Sequence, residues 1–185
     1  MNPTVLTLGH SYIRRLSNYC KMNRMSTNFG ITYINGIMYG KGGTKLCNMI
    51  QDHVFQRLIT NFSPTIVVLQ IGGNDIDNHN NHNFMVNTFI ETFKKFLRHL
   101  KSKNVKKVVI VQLFHRLKTR VSRSVYADRR AQINLELVNL TKREFKGFLV
   151  YWTPKRLTSK FLLTTDGVHL NKTKMRTLLF LKEGC

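Results

Sequence analysis

An α/β fold is what this 185-residue sequence predicts: a five-stranded parallel sheet covered by helices on both faces, a three-layer α/β/α sandwich. Three observations predict it. Five short apolar, β-branched runs recur along the chain. Longer stretches with helical spacing separate them. Polar residues able to do chemistry fall just after several of the runs, where open parallel sheets bind their ligands.

The first run, Thr4–Leu8, leads into Gly9-His10-Ser11 and then a short helical stretch from Tyr12 to Leu16. The second is Ile31–Asn35. Between the second and third runs, Thr44–Ile59 places Leu46, Met49, Ile50, Val54 and Leu58 on one helical face. The third and fourth runs, Ile66–Ile71 and Val108–Phe114, are almost wholly apolar, as central strands buried on both faces should be. Phe84–Leu100 between them repeats Phe89, Phe93, Phe96, Leu97 and Leu100 at helical spacing. Tyr126–Phe145 does the same with Ile133, Leu137 and Leu140 before the fifth run, Phe148–Trp152. Lys172–Lys182 reads as a closing helix with Leu178, Leu179 and Leu181 inward. No repeat, low-complexity tract or linker interrupts the pattern, so a single domain over 1–185 is expected.

Charge is the outlier. Lys and Arg number 30 against 9 Asp and Glu, a formal +21, while the apolar share of 42% is ordinary. Such an excess attracts polyanions, nucleic acid first and an anionic membrane surface second. A solvated basic face would read the same. Cys20, Cys47 and Cys185 are too few and too scattered for a disulfide framework or a zinc site. With no signal-peptide pattern at the start, they predict a reduced, intracellular chain in cytoplasm or nucleus. Asn61, Asn139 and Asn171 match the short glycosylation pattern, which arises by chance. No run approaches the ~20 apolar residues of a membrane span, so no transmembrane segment is expected.

The chemistry-bearing residues sit in Gly9-His10-Ser11, Gly72-Gly73-Asn74-Asp75 and Asp166-Gly167-Val168-His169. A serine hydroxyl becomes a useful nucleophile when an imidazole removes its proton and a carboxylate orients that imidazole. Ser11, His169 and Asp166 are those three groups. Asn74 carries an amide able to donate to a developing oxyanion. Each has a plainer reading. Ser11 fits a helix N-cap, Asn74-Asp75 a cap or turn, and Asp166-Gly167 a turn with His169 as a hydrogen-bonded core residue. Asp75, Asp77, His79 and His82 also offer metal-ligand side chains, but in an Asn-rich loop that scatters such residues; no metal and no cofactor is expected.

These blocks resemble those of the SGNH (GDSL-type) hydrolase superfamily, in order and over nearly the whole chain. Gly9-His10-Ser11-Tyr12 with Leu16 is similar to the first block and Gly40-Lys41-Gly42-Gly43-Thr44 to the second. Gly72-Gly73-Asn74-Asp75 matches the third and Asp166-Gly167-Val168-His169 the fourth. One departure stands out: His10 occupies the position where the family usually has aspartate. Arg14-Arg15 is also unlike most bacterial members, and a similar basic first block occurs in animal and mobile-element-associated domains. The resemblance implies a flavodoxin-like strand order 2-1-3-4-5 and Ser11, Asp166 and His169 as catalytic residues. It further implies an oxyanion hole of the Ser11 amide, a glycine amide and the Asn74 side chain. Gly43, last in the Gly-x-Gly-Gly run, is the best placement of that glycine; Gly42 and Gly40 remain open.

Two functions compete. The first is a serine esterase cleaving a carboxylic ester, an O-acetyl, lipid or small acyl group, through an acyl-enzyme. The second is a basic nucleic-acid-binding module of mobile-element type with weak or vestigial esterase activity. Lys94, Lys95, Arg98, Lys101, Lys103, Lys106 and Lys107 cluster ahead of the fourth strand, where solvent is expected. Arg116, Lys118, Arg120 and Arg123, with Arg129 and Arg130, cluster after it. That second group is placed to guide an anionic substrate or a nucleic-acid strand, with Tyr126 and Phe114 as stacking surface. No recognition module is visible, so binding to nucleic acid would be non-specific and salt-dependent.

Overall fold

Parallel strands need long crossovers, and the helical stretches between the apolar runs supply them. The computed structural model describes residues 2–28, 31–78, 86–154, 164 and 166–169. Its elements are β1 (Thr4–Gly9), α1 (Ser11–Met22), β2 (Asn35–Gly40), α2 (Leu46–Ile50), α3 (His53–Phe62) and β3 (Ile66–Gln70). There follow α4 (Gly73–Ile76), α5 (Val86–Ser102), β4 (Lys107–Val111), α6 (Arg123–Lys142) and β5 (Leu149–Trp152). All strand pairs are parallel, in the order β2-β1-β3-β4-β5. This is the expected sheet. The closing helix expected at Lys172–Lys182 lies outside the described residues.

Side chains alternate across the sheet. Leu6, Leu8, Val67, Leu69, Val108 and Ile110 point to one face, where Met49, Phe55, Phe93, Phe96, Leu137 and others from α2, α3, α5 and α6 bury them. On the opposite face Met38 packs against Ile13, Leu16 and Cys20 of α1. The helices thus flank both faces and fix the strand ends, from which the site is built.

The first helix runs on to Met22, beyond the expected Leu16, and three larger departures have a physical cause. The second strand is not Ile31–Asn35 but Asn35–Gly40, in register with β1 from Thr4↔Asn35 to Gly9↔Gly40. Residues 31–34 instead turn, with the Ile34 amide donating to the Ile31 carbonyl. Two glycines disguised the true strand, and both are there for close approach. A Cβ on Gly36 would lie 2.6 Å from the Thr27 carbonyl oxygen, and one on Gly40 would collide with the Arg14 amide. The helix expected over Thr44–Ile59 is two helices. Asp52 breaks it, because its Oδ1 accepts the Val54 and Phe55 amides at 3.0 Å and so caps α3. The fourth strand stops at Val111 rather than Phe114, since the Leu113 amide turns to Asn134 Oδ1 at 2.9 Å.

Candidate active site

The ends of β1, β2, β3 and β4 open on one cavity of about 600 Å³, lined by Ser11, Gly42, Gly43, Asn74, Arg116, His169 and their neighbours. At the end of β1 the chain turns tightly into α1. Gly9 permits this, because a Cβ there would lie 2.5 Å from both the Gln70 carbonyl oxygen and Ile13 Cγ1. Ser11 is consequently the first residue of α1, at the cavity.

His169 is brought to Ser11 by a loop, 158 residues away in sequence. Its Nε2 lies 2.6 Å from Ser11 Oγ and its Nδ1 lies 2.8 Å from Asp166 Oδ2. Gly167, at φ +65°, lets the turn form, and its carbonyl accepts the Leu117 amide at 2.7 Å. The Tyr12 hydroxyl donates to the Val168 carbonyl, and the Tyr12 ring packs 5.3 Å from that of His169. The turn is therefore tied to both α1 and the loop after β4.

The relay's electrostatics follow from these contacts. Partial burial pushes the Asp166 carboxyl upward. Hydrogen bonds from the Thr164 hydroxyl and from the His169 and Val168 amides outweigh it and hold the group well below the usual carboxylate range. His169 is lowered, chiefly by burial and also by the fields of Arg15 and Arg116, against the opposing bond to Asp166. At neutral pH the ring is accordingly an uncharged base. An ionised Asp166 accepts from Nδ1–H, which leaves the Nε2 lone pair facing the Ser11 hydroxyl.

The third block builds the opposite wall. Gly72 at φ +108° turns the chain into α4. Asn74 Nδ2 donates to the Thr44 carbonyl at 3.0 Å, and its Oδ1 accepts Arg116 Nη2 at 3.0 Å. An amide carries two N–H donors, so one remains for the cavity that Asn74 lines. Asp75 Oδ1 accepts the Leu46 amide at 3.0 Å and fixes the glycine segment to this wall. Gly43 and Gly42 line the cavity, whereas Gly40 belongs to β2. Gly43, at φ +73°, would present even a Cβ to open space.

The residues expected to bind an anion separate. Lys118 and Arg120 line the cavity; Arg123 is exposed at the start of α6, away from the lining. Arg116 corrects its expectation. It is 5% exposed, and its Nη1 meets Asp77 Oδ2 at 2.9 Å while its Nη2 holds Asn74. Its charge is spent on a carboxylate and its geometry on positioning the amide. Tyr126 is not a stacking surface either. It is 1% exposed, donates to the Phe114 carbonyl at 3.1 Å and lies under the Arg116 guanidinium. Phe114 is buried as well. Asp77, weighed as a metal ligand, accepts the Arg120 amide at 2.6 Å besides Arg116; His79 and His82 lie outside the described residues. Sequence reasoning missed the role of Arg116 as the link between Asn74 and Asp77, and that of Arg15, whose Nη2 reaches Asp166 Oδ2 at 3.2 Å.

Comparison with curated proteins found no match. Among solved structures, the fold is shared with a carbohydrate esterase family 3 protein from Talaromyces cellulolyticus, at TM-score 0.67 and 14% identity, covering 96% of this chain and 92% of that one. It is shared with the psychrotrophic esterase EstA from Pseudoalteromonas sp., in a structure inhibited by monoethylphosphonate, at TM-score 0.63 and 14% identity over 97% and 93%. It is also shared with a GDSL-like lipase from Bacteroides thetaiotaomicron, at TM-score 0.62 and 14% identity over 95% and 84%. The sequence itself matches the family described as GDSL-like Lipase/Acylhydrolase over residues 3–178. With its strand order, its four blocks and that match, the chain belongs to the GDSL-like lipase/acylhydrolase family.

Proposed function

We propose that the protein is a serine esterase working through an acyl-enzyme, with Ser11 as nucleophile, His169 as general base and acid, and Asp166 as orienting carboxylate. The observation that carries this reading is the unbroken relay Ser11 Oγ–His169 Nε2 at 2.6 Å and His169 Nδ1–Asp166 Oδ2 at 2.8 Å. Ser11 Oγ attacks the ester carbonyl while its proton passes to His169 Nε2. The oxyanion that forms accepts from the Ser11 and Gly43 amides and from Asn74 Nδ2. Collapse expels the alcohol, which takes the proton from His169. Water then attacks the acyl group, gives its proton to His169, and releases the carboxylic acid as Ser11 regains its hydrogen.

His10 in place of the family's usual aspartate leaves every atom of this relay in place, because its ring is buried beneath the cavity rather than in it. Inhibition of the Pseudoalteromonas esterase by a phosphonate suggests the probe. Turnover of p-nitrophenyl acetate and covalent labelling by a fluorophosphonate, mapped to Ser11, are the expected results. Undiminished turnover by a folded Ser11→Ala variant would remove the serine from the reaction.

A further inference from the structure

The cavity's charge is one-sided. Arg14 of α1, Lys45 at the start of α2, and Lys118 and Arg120 after β4 all line it, with Asp77 as the only lining carboxylate among the described residues. Asp77 is fully used: Arg116 takes one oxygen, and the Arg120 and Val121 amides take the other. Asp166 is likewise engaged by His169 and Arg15. Among the described residues none of these four makes an ion pair, whereas the fifth lining cation, Arg116, is paired with Asp77.

They come from segments following three different strands, so no single helix accounts for them. Arg14 is exposed, and its guanidinium lies beside Gly42. A Cβ on Gly42 would sit 3.0 Å from Arg14 Nη1, so the absent side chain gives the guanidinium its seat beside the glycine segment. A planar fork in that position suits an oxyacid, to which it donates two parallel hydrogen bonds. The uncompensated basic group thus shares its cavity with Ser11 and His169.

From this we infer that the ester is an anionic one: an acyl ester whose alcohol part carries a phosphate or carboxylate, received by Arg14, Lys45, Lys118 and Arg120 while its acyl carbonyl lies at Ser11. The inference rests on the esterase reading for the carbonyl half, and on the cavity's charge alone for the anionic half. Four like charges around a small opening keep one another hydrated and available until a counter-charge arrives. They also favour a compact anion over a neutral lipid or sugar ester, which would leave them unmatched.

The test compares three acetyl esters: 4-acetoxyphenyl phosphate, 4-acetoxybenzoate and neutral methyl 4-acetoxybenzoate. The expected kcat/KM ratio of the preferred anionic ester over the neutral one is at least about 10-fold, falling as salt is raised. The phosphate and carboxylate arms tell which oxyacid is preferred. The ratio should collapse in the Arg14→Gln/Lys118→Gln/Arg120→Gln variant. It should persist in Lys103→Gln/Lys106→Gln/Lys107→Gln, which removes exposed charges near the opposite end of β4. A ratio near one overturns the inference, as does a preference lost in the remote variant but kept in the cavity variant.

If no ester turns over and fluorophosphonate leaves Ser11 unlabelled, the esterase reading fails by itself. Calorimetric titration with phenyl phosphate then decides the anionic half. Binding weakened at least tenfold by the cavity variant sustains it, and no binding to the wild type ends it. An oligonucleotide that displaces phenyl phosphate from the cavity at far lower concentration would overturn the small-ester assignment in favour of a polyanion.

Discussion

At the exit of β1, His10 is fully buried and Ser11 reaches the cavity; at the exit of β3, Asn74 reaches the cavity and the carboxyl of Asp75 is enclosed, although other atoms of that residue touch the surface. Both exits turn a strand into a helix within a few residues, and of two neighbouring side chains there one points to the cavity and the other inward. One partner does chemistry and the other lies underneath. Among the described residues, neither nitrogen of His10 nor Oδ2 of Asp75 has a hydrogen-bond partner. Each buried group consequently favours its neutral form. Burial, aided by the fields of Arg116 and His169, lowers His10 to about 3, and burial raises Asp75 to about 7 against the Leu46 amide and the field of Lys45. The two exits share a construction and place ionisable groups of opposite kind beneath the reacting atoms.

The largest expected effects break the comparison on the cavity side. Ser11→Ala should abolish labelling and lower kcat by at least about 10³-fold, since the covalent step is lost. Asn74→Ala should retain labelling but lower kcat by about 10²–10³-fold, the usual loss for one oxyanion donor. Because Asn74 also holds Arg116 and the Thr44 carbonyl, its melting temperature must be followed in parallel. If Asn74→Ala turns over as fast as wild type while folded, the β3 exit is structural only and the two exits are not functional partners.

Next come the buried partners, whose opposite shifts give opposite pH dependence. His10, with its pKa lowered on folding, contributes stability that is full above about 6.5 and is lost as pH falls towards about 3. Asp75, with its pKa raised, contributes stability that is full below about 3.8 and is lost as pH rises through about 7. Each slope approaches about 1.4 kcal/mol per pH unit inside its window. Between about pH 4 and 6.5 the two oppose and largely cancel. Asp75→Asn should remove one slope. Relative to wild type, the variant should gain on the order of 2–3 kcal/mol on going from pH 5 to pH 8, whatever fixed cost the buried amide adds. His10→Phe should do the reverse, losing acid sensitivity between pH 6.5 and 5. Urea titrations at the three pH values measure both. Parallel pH profiles for wild type and variants would mean that these groups are solvated.

The parts readable from sequence were those with local signatures. Four of the five strands and their parallel arrangement follow from apolar runs separated by helical stretches, whereas the order 2-1-3-4-5 and the pairing of Ser11 with His169 are what the family resemblance of the four blocks implies. β2 was misplaced because Gly36 and Gly40 carry no apolar signal, and their purpose, close approach to Thr27 and Arg14, is a tertiary fact. Asp52 splitting one amphipathic pattern was legible in principle, since an aspartate two and three residues before Val54 and Phe55 is an ordinary cap. The use of Arg116 was not. A cation in a basic run looks like surface charge until Asp77, 39 residues earlier, is seen to reach it. The same holds for Tyr126, whose burial is set by α6 packing rather than by its neighbours in the chain.

The smallest effect concerns a charge at the cavity's edge rather than beneath it. Arg15 Nη2 meets Asp166 Oδ2 at 3.2 Å, the oxygen that His169 also uses, and both side chains are about 40% exposed. A pair that open to water contributes little to stability. Its influence should appear in titration instead, because the Arg15 charge is one of the influences that lower His169. Removing it in Arg15→Gln should let the imidazole hold its proton to higher pH. The acid limb of the kcat/KM profile should therefore move upward, while activity at pH 8 stays within about 3-fold of wild type. A shift of the limb to lower pH would mean that Arg15 acts mainly by fixing the carboxylate's position. The exposed and buried ionic partners of this site would then differ in kind, one setting geometry and the others setting charge.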